Sequence, residues 1–177
     1  MPRLEPYSPT PAARAGRIVM TVMPFAMGLA CVLLSFVPLG RIVGSPLTPA
    51  FPLMAIYYWA IVRPEMFPPL AVFAVGLIFD LLSGGAIGLW AFVYVVTYAV
   101  VISQRMLVVN APFSVFWVGF LFAAAFAGAF AWAIISIIHG MFVPPGSVAR
   151  HMAVTVAVFP IFVMLFGRIQ TRVLQGN

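Results

Sequence analysis

Gly76-Leu77-Ile78-Phe79-Asp80-Leu81-Leu82-Ser83-Gly84-Gly85-Ala86-Ile87-Gly88 sets one carboxylate inside an apolar run and then breaks the run with glycine. The chain has three acidic residues, and Asp80 alone lies inside a long apolar run. A charge at the centre of a membrane helix costs about 2.5–3.5 kcal/mol on insertion scales. Asp80 therefore needs a partner or a task, and the flanking residues decide what kind of protein surrounds it.

Those flanks continue as hydrocarbon in both directions. Of the 177 residues 64% are hydrophobic and 7% charged, with mean hydropathy +1.16. Soluble domains carry about one quarter charged residues, so this composition is that of an integral membrane protein. No polar stretch is long enough for an extramembrane domain. The net charge of +6 comes from nine Arg and no Lys, placed in short segments between apolar runs. That is the positive-inside pattern, with anionic lipid as a natural counterpart. Without a basic patch or an RNA-binding motif, nucleic acid is not an expected partner. A lone Cys31 excludes an internal disulfide and any CxxC metal or redox motif.

Apolar runs predict six membrane spans near 18–39, 50–62, 67–82, 86–102, 113–138 and 151–166. The fold expected is an all-α membrane protein of six transmembrane helices with both termini cytoplasmic. Residues 1–17 form a basic tail in which Pro2, Pro6, Pro9 and Pro11 leave little scope for a helix. Residues 18–167 make the single membrane domain, and 168–177 a short C-terminal tail. The second span ends in Tyr57-Tyr58-Trp59 and Arg63, which reads as an interfacial anchor of aromatics and a cation. Six crossings put Arg3, Arg14, Arg17, Arg63, Arg105, Arg168 and Arg172 inside, and only Arg41 and Arg150 outside. If one short segment failed to cross, Arg105, Arg168 and Arg172 would fall outside and the bias would be lost.

In this topology Asp80 lies near the outer, C-terminal end of the third span, where the helix dipole disfavours an anion. Its candidate partners are Arg41, Arg150, His139, His151, or the free N–H groups where the fourth span starts after Gly85. The expected role is an ion pair or cap that fixes helix packing; a ligand or partner contact and a proton relay are the alternatives. His139, His151 and Asp80 share the outer side, yet no HxH or HExxH spacing supports a metal site. GxSxG, paired midplane aspartates and a P-loop are all missing from the sequence, so neither an enzyme nor a cofactor is expected. Gly84 and Gly88 form a small-xxx-small pair. Gly119, Ala123, Ala127 and Ala131 form a smooth stripe beside the ridge Phe122, Phe126 and Phe130. Such stripes let membrane helices approach closely, either within the chain or against a partner's helix.

The stretch from about Pro49 to Trp90 resembles the signature of the rod shape-determining protein MreD family. The resemblance rests on a Pro-rich entry, Tyr57-Tyr58-Trp59, Arg63-Pro64, Gly76-Leu77-x-x-Asp80-Leu81-Leu82-x-Gly84 and Gly88-Leu89. It implies a multi-pass protein of the bacterial inner membrane that belongs to the cell-elongation machinery of peptidoglycan synthesis. The implied partner is MreC, and through it MreB, RodA and the elongation penicillin-binding transpeptidase. The family also resembles in fold the substrate-binding S components of energy-coupling-factor vitamin transporters. Two functions are thus in view: a non-enzymatic scaffold, and a small-molecule-binding subunit of a transporter. Asp80, Gly76, Gly84, Gly88, Arg63 and Pro64 match the motif, which leaves their roles open.

Overall fold

The structure, a computed structural model, describes the backbone of residues 11–37, 48–140 and 144–175, and side chains within 22–37, 48–140 and 144–168. Arg41 and tail residues 1–10 lie outside the described residues. Among the described residues the α-helices are, in order, α1 Pro11–Ser35, α2 Phe51–Val62, α3 Pro69–Ser83, α4 Leu89–Ser103, the short α5 Arg105–Val108, α6 Phe113–His139 and α7 Gly146–Gln175. One 3₁₀ turn, Pro64–Met66, joins α2 to α3, and no strand occurs among the described residues. The architecture is all-helical.

Two of these boundaries differ from the sequence expectation. Helix α1 begins at Pro11, ahead of the expected start at Ile18. Proline costs nothing in a first turn, where its missing N–H has no partner to lose, and Ala12-Ala13-Arg14-Ala15 favours helix. Helix α7 begins at Gly146 and continues to Gln175, through most of the expected C-terminal tail. Pro24 and Pro160 sit inside α1 and α7.

Helix α2 lies at the centre. Every residue from Phe51 to Ile61 is buried, because α1, α4, α6 and α7 all pack against it. A helix apolar on all faces belongs inside a protein or a membrane, and α2 is sheathed by protein. The expected interfacial anchor is therefore corrected: Tyr57, Tyr58 and Trp59 are 2%, 8% and 1% exposed. Their rings form the middle of an aromatic core. Tyr57 meets Phe116, Phe120 and Phe159 at 5.2, 5.2 and 5.7 Å between centroids, and Phe120 stacks on Phe159 at 3.8 Å. Tyr58 and Trp59 meet Phe166 of α7.

The outside of the bundle is as apolar as the inside. Leu33, Leu70, Leu81, Ile87, Phe92, Phe122, Ile137, Ile161 and Met164 are among many exposed large hydrophobics. A protein in water rarely shows contiguous apolar surface on this scale, whereas lipid solvates it. Among the described residues two helices, Phe113–His139 and Gly146–Arg168, are long and apolar enough to cross a bilayer by themselves, with mean hydropathies of 2.3 and 1.9. The apolar helices Phe51–Val62, Pro69–Ser83 and Leu89–Ser103 are shorter. At 1.5 Å per residue a fifteen-residue helix reaches about 22 Å, less than the roughly 30 Å hydrocarbon core.

This division of surfaces gives a direct test. Phe159 is fully buried against three rings, whereas Phe122 is 68% exposed. Phe159→Ala should destabilise the detergent-solubilised protein by about 3 kcal/mol through the cavity it leaves. Phe122→Ala should leave the midpoint of thermal unfolding nearly unchanged. Equal effects in a thermal-shift measurement would refute the assignment of inner and outer faces.

Candidate functional site

Asp80 sits in the last turn of α3 and is 1% exposed. The chain leaves α3 through Gly84, in the left-handed region at φ 67°, and enters α4 through Gly88 at φ 93°. Only glycine adopts such angles without strain. Gly88 is the N-cap of α4, so it has no side chain with which to satisfy the helix's first N–H groups. Asp80 does this from the neighbouring helix. Gly88 N donates to Oδ2 at 2.9 Å, Trp90 N to Oδ1 at 3.1 Å and Ala91 N to Oδ2 at 3.2 Å.

Magnitudes decide whether this suffices. Hydrogen bonds to a charged group contribute about 1.5–3 kcal/mol each, so three of them offset an insertion cost of about 3 kcal/mol. The positive end of the α4 dipole also counters the unfavourable end of α3. No ion pair among the described residues involves Asp80. His139 and Arg150 are exposed and His151 is half-buried; among the partners foreseen, the hydrogen bonds come from the start of the next helix.

Gly76 makes the reach feasible. It lies one turn before Asp80 on the same face of α3, and a Cβ there would stand 2.5 Å from Ala91 Cα and 2.8 Å from Ala91 N. The two backbones touch at this point, which brings the α4 N–H groups within range of the carboxylate. Gly76 and Asp80 are thus one device: the first sets the distance, the second closes it. Ser83 Oγ adds a bond to Asp80 O at 3.1 Å.

The residues of this device fall within the stretch that resembles a known family. Comparison with family profiles matches residues 13–168 to the rod shape-determining protein MreD. The chain belongs to the MreD family. No curated protein and no solved structure matches it. As a member of that family it is a membrane protein with a role in rod-shape determination.

The other residues singled out in this MreD-family chain fall into three groups. Gly84 and Gly88 do not form a helix-packing pair: a Cβ at either meets nothing within 4 Å, and both serve the turn. Gly119, Ala123, Ala127 and Ala131 do form a stripe, and it faces inward. Ala123, Ala127 and Ala131 are buried, and a Cβ on Gly119 would stand 2.5 Å from the Tyr57 hydroxyl. That hydroxyl donates to Phe116 O at 2.9 Å, which ties α2 to α6. Arg63 is half-buried beyond the end of α2, and Pro64 O accepts from the Tyr98 hydroxyl at 3.3 Å. Tyr98 also donates to Phe67 O at 2.5 Å.

Two contacts were not foreseen from sequence. Arg105 Nε donates to Ile61 O at 2.8 Å and so caps the C-terminus of α2 from α5. Thr155 Oγ1 accepts from Ala50 N at 3.0 Å while donating to His151 O at 2.8 Å, which joins the start of α2 to α7. Arg105 had a sequence signal, a cation just after an apolar run, whereas Thr155 in mid-helix had none. Among the described residues no group of three or more His, Cys, Asp or Glu gathers to hold a metal.

The cap separates its variants cleanly. Asp80→Asn keeps an acceptor but loses the charge and should cost about 1–2 kcal/mol. Asp80→Leu strands three N–H groups and should cost about 3 kcal/mol or more. Gly76→Val should match it by forcing α3 away from α4. Thermal unfolding in detergent ranks the three, and a leucine variant as stable as the asparagine one would remove the cap from the account.

Proposed function

We propose that the chain is a non-enzymatic scaffold of the cell-elongation complex, multi-pass in the inner membrane, whose partner is the membrane-anchored MreC. Through MreC it reaches MreB, RodA and the elongation penicillin-binding transpeptidase and helps regulate wall synthesis. Six crossings with both termini in the cytoplasm fit the alternation of helices. The observation that carries the reading is the kind of surface available. Family membership assigns a role in rod shape, and the described residues are almost all helix with exposed aliphatic and aromatic side chains. A protein built this way meets its partners inside the bilayer, where close packing of helices supplies affinity.

The candidate residues then act indirectly. Asp80, Gly76, Gly84 and Gly88 hold α3 and α4 in one arrangement, and the inward stripe of α6 holds that helix against α2. Asp80, Gly76 and the alanines of the stripe are buried, while Gly84 and Gly88 lie in the more open turn between the two helices. What a partner meets is the lipid-facing side of the same helices.

Photo-cross-linking scanned over the bundle tests this. Probes at exposed positions such as Leu70, Phe73, Leu121 or Ala153 should give an adduct with MreC on at least one face. Probes at buried Ala127 or Val72 should give none. Failure of MreC to co-purify or to cross-link at native expression would sink the scaffold reading.

A further inference from the structure

We propose that one anionic phospholipid binds at the end of the bundle opposite the Asp80 cap, with an acyl chain in a cleft between α4 and α6 and its phosphate against Arg63 and Arg105. The cleft measures about 280 Å³, and its wall includes Tyr57 and Ile61 of α2, Val100 of α4, Val108 of α5, and Gly119 and Phe122 of α6. It lies beside the last turns of α2 and α4, whereas Asp80 caps the first turn of α4. Lipid binding here does not depend on which protein the scaffold holds.

The cleft suits hydrocarbon. Gly119 and Ala123 contribute almost no side chain to its wall, and Phe122 beside them is 68% exposed, so the hollow opens on the lipid-facing side. Apart from Tyr57 and Gln104 the lining is apolar. Tyr57 already donates its proton to Phe116 O at 2.9 Å, and Gln104 is exposed at the end of α4. A buried water needs two to four polar partners, more than this wall supplies, whereas an acyl chain needs none.

Charge selects the headgroup. Arg105 Nε donates to Ile61 O at 2.8 Å, and Ile61 is itself in the cleft wall. That bond anchors the guanidinium beside the cleft and leaves its terminal nitrogens for a second acceptor. Arg63, two residues after Ile61 and the C-cap of α2, is half-buried, and its guanidinium has no hydrogen-bond or ion-pair partner among the described residues. Glu65 is exposed and, among the described residues, pairs with neither arginine. Arg168 adds a further cation at the same end, two residues beyond the Phe166 ring that meets Tyr58 and Trp59. A half-buried cation calls for an anion, and a guanidinium grips two phosphate oxygens at once. In a bilayer that phosphate comes attached to the tail that fills the cleft. A zwitterionic lipid brings its own cation to the same place, so an anionic headgroup is preferred.

Native mass spectrometry of the full chain, released from detergent micelles and titrated with phosphatidylglycerol or phosphatidylcholine of the same acyl chains, tests the headgroup. One phosphatidylglycerol should bind at least tenfold more tightly than phosphatidylcholine. Arg63→Gln should weaken phosphatidylglycerol about fivefold, the scale of one arginine near a lipid phosphate, and leave phosphatidylcholine binding and thermal stability unchanged. Arg150→Gln, at the other end of the bundle, should alter neither lipid's affinity. A phosphatidylglycerol carrying a diazirine in its acyl chain locates the tail: it should label Val100 or Phe122 in preference to the equally lipid-facing Leu33 and Ile161, and a phosphatidylcholine analogue should show no such preference. Equal affinity for the two lipids would overturn the proposal, as would an Arg150→Gln effect as large as that of Arg63→Gln. Labelling spread evenly over the outer faces would overturn it as well.

Discussion

The bond between a carboxylate and the open end of a helix organises this protein. Asp80 occupies a position that is unfavourable by every local criterion: charged, buried, and at the negative end of its own helix. All three penalties are answered by one neighbour, the start of α4, whose own N-cap is a glycine unable to help itself. Each partner is costly alone. Together they lock the α3–α4 hairpin, and the hairpin packs against α1, α2 and α6.

Around that lock the same solution recurs with other side chains, one cationic and two neutral. Helix ends that cannot be wetted inside a membrane are closed by side chains from elsewhere: Arg105 on the end of α2, Thr155 on its beginning, Tyr98 on the turn that follows it. Without water every main-chain polar group needs an internal partner. Short helices have more ends per residue, so a bundle with several short members needs many such contacts. The scarce polar residues of this chain are spent there.

Sequence reading located the lock but not all of its parts. Asp80 stood out because a carboxylate in an apolar run is rare, and the free N–H groups after Gly85 were among its foreseen partners. Which of them it takes depends on Gly88 adopting a left-handed conformation, a three-dimensional fact that spacing does not encode. Gly84 and Gly88 imitated a packing motif because turn glycines and packing glycines are the same letter. Tyr57-Tyr58-Trp59 beside Arg63 imitated an interfacial belt, since aromatics next to a cation suit a membrane surface and a buried core equally. The shortness of this segment was visible in the sequence, but its meaning was not: a run of about twelve apolar residues with no polar face is short for a bilayer span and suits enclosure by other helices.

That enclosure bears on how the protein is made. A twelve-residue apolar segment such as α2 is a weak signal to the insertion machinery, which recognises stretches of about twenty. In the six-crossing arrangement α2 depends on its neighbours for its place. In that arrangement its entry into the bilayer would be coupled to the packing of α1, α4, α6 and α7 around it, and α4, α6 and α7 follow it in the chain. Six crossings would thus make biogenesis cooperative, with the central helix secured only once the later helices have packed against it.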